Sequence, residues 1–105
     1  MLEQFKIPAG VEIRIPENDM RTTVEAVFRH YGMSTEHARQ SADVLLYADL
    51  RGYDTHGVSN MLRVYVDFFD KGKINPTPEW KITAERKATA TIDSDTAHGG
   101  VIAPE

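Results

Sequence analysis

The 105-residue chain contains no cysteine. A disulfide framework, a thiolate zinc site and a thiol nucleophile are therefore excluded. It also lacks any apolar run near the roughly 20 residues that a membrane-spanning helix needs. Its first residues, Met1-Leu2-Glu3-Gln4-Phe5-Lys6, do not follow the charged-then-apolar plan of a secretory signal. Positive charge is not in excess: 12 Lys and Arg stand against 16 Asp and Glu, for a net charge of −4. Nothing electrostatic favours nucleic acid. The single Asn-x-Thr triplet, Asn75-Pro76-Thr77, is closed to glycosylation by its central proline. Hydrophobic residues make up 41% of the chain, enough for the modest core of one small domain. The expectation is a soluble, cytoplasmic globular protein with neither nucleic-acid nor membrane partners.

Residues 1–15 alternate loosely (Phe5, Ile7, Val11, Ile13, Ile15) around Pro8 and Gly10. This pattern predicts an extended arm or a short edge strand, because Pro8 cannot donate to a ladder. Pro16 suits the first turn of a helix, and Glu17 and Asp19 suit its positive end. Met20, Val24, Val27, Phe28 and Tyr31 then form one apolar stripe at helical spacing, and Gly32 is placed to stop it. Ser34 is an N-cap candidate for a second helix with Ala38, Ala42, Leu45, Leu46 and Asp49 along one face, ended by Gly52. Residues 53–60 read as a polar, glycine-containing connection. Met61, Leu62, Val64, Tyr65, Phe68 and Phe69 give a third helical stripe, closed by Lys71 and Gly72.

Beyond residue 72 the period changes. Residues before Pro76 and Pro78 avoid the helical region. Trp80, Ile82 and Ala84 alternate, as do Ala88, Ala90 and Ile92. This predicts an antiparallel hairpin turning through the polar Glu85-Arg86-Lys87, followed by a turn at Asp93-Ser94-Asp95. The class is α+β: one segment over 1–105, with an arm (1–15), a three-helix region (16–72), and a β-hairpin with the start of a further element (73–105). A lone hairpin is marginal without strands or a helix to cover it, and the chain ends in a glycine-rich stretch just as an apolar run begins. The expected reading is the start of something larger; the alternative is a complete small domain whose helices cover the hairpin.

The densest polar cluster, Asp49-Leu50-Arg51-Gly52-Tyr53-Asp54-Thr55-His56-Gly57, falls between two helices. Histidine is the side chain that exchanges protons near neutrality without a perturbed pKa. Asp54 and Asp49 are candidates to orient His56 or raise its pKa, and Thr55 supplies a hydroxyl for a substrate oxygen. Gly57 leaves room for a ligand near a helix start. Arg63, Tyr65 and Asn60, on the first turns of the next helix, are candidates for a carboxylate, with Arg63 binding it at two points. The same residues also fit a capping cluster, with Arg63 a solvated charge and Tyr65 a core aromatic. His30 and His37 flank a helix boundary and read as surface or cap residues. A metal site needs three converging ligands where Asp54 and His56 offer two, so no metal is expected. Gly99-Gly100 lacks the remainder of a Gly-x-Gly-x-x-Gly fingerprint. A helix-turn-helix reading fails on the acidic charge and on a third helix offering only Arg63 and Lys71.

The run Ala48-Asp49-Leu50-Arg51-Gly52-Tyr53-Asp54-Thr55-His56-Gly57-Val58 resembles the Ala-Asp-x-Arg-Gly-x-x-Ser-His-Gly signature of the malate/L-lactate dehydrogenase family, a non-Rossmann group of oxidoreductases. The resemblance continues through Tyr65, Lys71-Gly72-Lys73-Ile74-Asn75-Pro76 and Ala90-Thr91-Ile92-Asp93-Ser94-Asp95. It implies a segment of a larger α/β dehydrogenase with a non-Rossmann mixed sheet, since family members are several-fold longer. It also implies NAD- or NADP-dependent hydride transfer between a 2-hydroxy acid and a 2-keto acid, and homodimers with sites between domains. His56 matches the signature histidine that lines the site, and Thr55 takes a place usually held by serine. The family commonly carries Arg four residues after that histidine and Tyr four further on. Here those places hold Asn60 and Val64, with Arg63 and Tyr65 nearby. Either a local insertion shifts the register or the substrate is gripped differently. A second family histidine, taken as the proton-transfer residue, and most of the cofactor site would fall beyond Glu105. The rival function is a non-catalytic helical module for binding or oligomerisation.

Overall fold

The computed structural model describes residues 8–104. The arm predicted over 1–15 lies partly outside them. Its described part turns at 9–11 and then runs without regular structure to Pro16, and Val11, Ile13 and Ile15 are exposed and paired with no described strand.

Helix α1 spans Glu17–His30 and follows Pro16, whose φ of −54° and ψ of 135° place it just outside the helix. Glu17 and Asp19 lie in its first turn and Arg29 and His30 in its last, so both ends complement the helix dipole. Helix α2, Thr35–Leu50, begins where Ser34 Oγ accepts the His37 N–H at 3.1 Å, satisfying one of the orphan donors of the first turn. The two helices meet through Val24 and Phe28 of α1 and Ala38, Ser41, Ala42, Leu45 and Leu46 of α2, all buried. Met33, in the connection between them, joins this core. Small residues on α2 allow the close approach. At its rim, Arg21 bridges Glu17 on its own helix and Asp43 on α2.

Helix α2 ends at Gly52, whose φ of +76° is open to glycine at little cost. The Gly52 N–H returns to Asp49 O at 3.0 Å and the Tyr53 N–H to Ala48 O at 2.9 Å, the paired closure of a glycine C-terminal motif. The polar, glycine-containing connection expected over 53–60 is partly helical. A short 3₁₀ turn, Asp54–His56, leads to a π-helical turn, Val58–Leu62, which passes directly into helix α3, Arg63–Asp70. The third helical segment thus starts three residues before the Met61 expected from its apolar stripe. Met61, Leu62, Tyr65 and Phe69 pack against the α1–α2 core. Phe69 meets Phe28 edge-on at 6.3 Å between centroids and stacks on Tyr31 at 4.8 Å.

Strands β1 (Lys81–Arg86) and β2 (Thr89–Asp93) form the predicted antiparallel hairpin, with Ile82 opposite Ile92 and an irregularity between Ile82 and Ala84. The turn lies at Lys87–Ala88 rather than through Glu85-Arg86-Lys87. Glu85 and Arg86 pair with Ala90 and Thr89, so Ala88 is a turn residue and not part of the second strand. Every residue of both strands is exposed, so the three helices do not cover the hairpin. Its far end is anchored instead by Asp95, whose Oδ2 accepts from Asn75 Nδ2 at 2.9 Å and the Glu79 N–H at 3.1 Å. Asp95 and Thr96 both take φ of 54°, a region unusual for a β-branched residue. Helix α4, Gly99–Ile102, closes the described chain and buries Gly100 and Val101. The α+β class and the order of three helices, then hairpin, then the start of a further element are those expected; that element is helix α4. Among the described residues no helix is long and apolar enough to cross a membrane.

Candidate active site

The loop between α2 and the π-helical turn holds the candidate site residues Thr55 and His56. The His56 N–H is held by Tyr53 O at 2.9 Å and the Gly57 N–H by Asp54 O at 3.3 Å, which fixes the backbone of the 3₁₀ turn. The His56 ring is exposed, and its Nδ1 lies 2.9 Å from Thr55 Oγ1. Asn60 follows on the π turn. Its Nδ2 donates to Thr55 O at 2.8 Å, and its Oδ1 accepts from Arg63 Nη2 at 2.8 Å. Arg63 Nε also donates to Asn60 O at 3.3 Å. The two bonds made by the Asn60 amide fix which end is oxygen and which nitrogen.

His56, Thr55, Asn60 and Arg63 therefore form one connected polar row on the protein surface. Tyr65 does not join it. Its ring lies against the core, 6.4 Å from Phe28 and edge-on to His98 at 4.3 Å, and burial raises the pKa of its hydroxyl. Neither Asp49 nor Asp54 bonds to the His56 ring, whose described partner is Thr55. Asp49 Oδ2 instead accepts the Val58 N–H at 2.9 Å.

The π turn bears on the register of this row. Such a turn holds one more residue than an α-helical turn and is a common result of a single-residue insertion, often at functional sites. Tyr65 stands nine positions after His56, one more than the family spacing. The π turn, Val58–Leu62, lies between the two. A one-residue difference of this kind matches the displacement of Tyr65 but not that of Arg63, which stands seven positions after His56 where the family has four.

One buried polar group was not singled out by sequence reasoning. His98 is 4% exposed. Its Nδ1 accepts the Gly100 N–H at 3.1 Å, capping α4, and lies 3.1 Å from Ser41 Oγ. Burial pushes its pKa down from 6.5 to about 4. The Gly-Gly pair that follows does not fit a phosphate cradle: Gly100 is buried, and its N–H is already bonded to His98. Among the described residues no group of three or more His, Asp or Glu side chains is arranged to hold a metal ion.

With this geometry in place, the relationship to known proteins is clear. Residues 15–105 match the family model described as malate/L-lactate dehydrogenase, and the chain belongs to that family. It is 38% identical over 87 residues to the L-sulfolactate dehydrogenase of Methanocaldococcus jannaschii, covering 83% of this chain and 25% of that protein. It is 39% identical over 90 residues to the malate dehydrogenase of Pyrococcus abyssi, covering 86% and 25%. The solved structure of the M. jannaschii sulfolactate dehydrogenase superposes with a TM-score of 0.80 over 86% of this chain and 26% of that one, at 33% identity. That of the Pyrococcus horikoshii malate dehydrogenase gives 0.79 at 36% identity, over 86% and 26%. The chain spans about a quarter of the length of the curated relatives it matches.

Proposed function

We propose that the chain is the N-terminal, substrate-side segment of a dehydrogenase that moves a hydride between NAD or NADP and a small 2-keto or 2-hydroxy acid. The observation that carries this is the connected row His56–Thr55–Asn60–Arg63, built on the signature turn of a family whose named members include malate and sulfolactate dehydrogenases. Most of the cofactor site is assigned to residues beyond Glu105, because the chain spans about a quarter of its relatives' length.

A 2-keto acid carries a carboxylate beside its reacting carbonyl. Asn60 holds the Arg63 guanidinium through Nε and Nη2, leaving Nη1 with no partner among the described residues. A planar guanidinium oriented in this way suits a carboxylate, giving it charge and, through Nη1 and the second hydrogen of Nη2, two-point geometry. With Nδ1 occupied by Thr55, His56 has Nε2 as the ring nitrogen for the substrate oxygen. A neutral ring whose Nδ1 carries the proton and donates to Thr55 can accept at Nε2 from a hydroxyl. The protonated ring can donate there to the oxygen on which negative charge develops. Tyr65 serves the site from behind, through the ring that supports α3. The functional unit is proposed as a cytoplasmic homodimer of longer chains. Exposed Ile13, Ile15, Tyr47 and Leu50 and the bare hairpin support an assembly that covers them.

The test is NAD(P)H oxidation by the polypeptide extended to the length of its relatives, offered the 2-keto acids that correspond to malate, lactate and sulfolactate. Turnover of at least one is expected, with none by the 105-residue chain alone. His56→Ala should lower kcat/KM by about 100-fold, and Arg63→Ala should raise KM more than it lowers kcat. An extended His56→Ala enzyme with wild-type activity would remove His56 from the site.

A further inference from the structure

We propose that Asp49 is the positioning residue of this site: from the last turn of α2 its carboxylate caps the helix that carries Asn60 and Arg63, and so sets His56 beside them. The inference rests on the reading of the His56 row as a substrate site and adds what holds that row in place.

A carboxylate in the last turn of a helix opposes that helix's own dipole, so Asp49 does not serve α2. It serves the next helix. Its Oδ2 accepts the N–H of Val58 at 2.9 Å, one of the first-turn donors that a helix cannot satisfy internally. The residue that would ordinarily supply such a cap is the one just before the helix. That residue is Gly57, which has no side chain to offer, and the cap comes from nine positions upstream instead.

Gly57 is the other half of the device. Its φ of −90° is open to any residue, so it is not glycine for the sake of its backbone. A Cβ built at Gly57 would overlap the Asp49 carboxylate, so the missing side chain is the space through which Asp49 reaches Val58. At the other end of the loop the Asp49 carbonyl accepts the Gly52 N–H at 3.0 Å. One residue thus holds the loop 50–57 at both ends, by main chain at its start and by side chain at its close. Thr55 and His56 lie within that loop, and Asn60 and Arg63 lie on the helix it leads into.

The test is the imidazole ¹³C–¹H spectrum of the 105-residue chain, with His30, His37 and His98 as internal references and the Arg63 Nε–Hε signal as a second reporter. It is recorded for the wild type, Asp49→Asn, Asp49→Ala, Gly57→Ala and the double Asp49→Ala/Gly57→Ala. Asp49→Ala and Gly57→Ala should each displace the His56 and Arg63 signals and leave His30, His37 and His98 in place. Asp49→Asn keeps an acceptor for the Val58 N–H and should retain the wild-type signature. The double variant should match Asp49→Ala, because the added methyl enters space the carboxylate has left. Unmoved His56 and Arg63 signals in Asp49→Ala, or displacements that simply add in the double, would overturn the proposal. Should Asp49→Ala fail to fold, the other two single variants decide it. A wild-type signature in Asp49→Asn with a displaced one in Gly57→Ala supports the proposal, and either opposite result refutes it. None of these readouts needs turnover. If they come out as expected while His56→Ala leaves the extended enzyme fully active, the positioning role stands and the substrate-site reading falls.

Discussion

Ser41 Oγ lies 3.1 Å from Nδ1 of His98, two buried polar atoms joined across 57 positions of sequence. The same Nδ1 accepts the Gly100 N–H, so it carries no proton, and a neutral ring bears its hydrogen on Nε2. Phe28 and Tyr65 enclose the ring, with centroids 5.6 and 4.3 Å away. Tyr65 is the one titratable side chain among these neighbours. Burial raises its pKa, so it stays neutral with them.

The first prediction is a pH dependence of folding. Burial lowers the His98 pKa to about 4 from an unfolded value of 6.5, so the unfolded chain takes up a proton first as pH falls. The stabilisation from a neutral His98 is complete above about pH 6.5 and is lost between about 6.5 and 4, amounting to roughly 3 kcal/mol at most. His98→Asn keeps a cap acceptor without the titration. Urea unfolding at several pH values should give the wild type a steeper fall in stability over that window than the variant. Parallel profiles would show that His98 does not titrate with folding.

Much of this fold was legible because its signals are local. Val24 and Phe28 repeat at the helical period, Ser34 stands where a cap is needed, and Gly32, Gly52 and Gly72 punctuate the three helices. The hairpin was legible too, but its turn was misplaced. Glu85 and Arg86 are polar because both faces of β1 are exposed, not because the chain reverses there. The signature loop marked Thr55, His56 and Asn60 as neighbours, but no period distinguishes a π turn from the start of an ordinary helix. His98 gave no signal, because its partner Ser41 lies 57 positions away on α2 and neither stands in a pattern that points to the other. Tyr65 fitted two readings, and only the packing of its ring against Phe28 and His98 shows that it faces the core.

The second prediction separates two adjacent glycines. A Cβ at Gly100 would stand 2.9 Å from atoms of the His98 ring and 3.3 Å from Ser41 Cα, whereas one at Gly99 meets nothing within 4 Å. Gly100→Ala should therefore destabilise the chain by about 1–3 kcal/mol through overpacking. Gly99→Ala should be neutral, or stabilising by about 0.5 kcal/mol through reduced freedom of the unfolded chain. Thermal unfolding of the two variants side by side reads the difference, and equal melting points would contradict it.

The third prediction concerns the link between the ends of α1 and α3. Tyr31 stacks on Phe69 with planes 12° apart, and its hydroxyl donates to Asp70 Oδ1 at 2.8 Å. Tyr31→Phe keeps the stack and loses one hydrogen bond on an open, solvent-screened face, a small cost. Tyr31→Ala loses the stack and the buried ring area as well, and should cost more than twice as much. Denaturant midpoints that rank the two variants the other way would assign the contact to the hydroxyl.

The last prediction follows from the extra residue in the π turn. Asn60 and Arg63 face each other three positions apart within a segment that is π-helical up to Leu62. Deleting Met61 removes one residue and should convert the turn to regular α-helix. Leu62 then takes the core place of Met61, so the helix survives with a modest loss of stability. Arg63, however, becomes two positions from Asn60, a spacing that places side chains on opposite sides of a helix. The guanidinium loses its anchor, while Tyr65 comes to stand eight residues after His56. In the extended enzyme this deletion should leave the circular dichroism near that of the wild type and raise KM for the 2-keto acid far more than it lowers kcat. Restoring an arginine at position 60 in the shortened chain should recover part of the loss, because it returns a cation to the fourth place after His56. An unchanged KM on deletion would show that the Asn60–Arg63 pair does not hold the substrate, and that the π turn accommodates an insertion without serving the site.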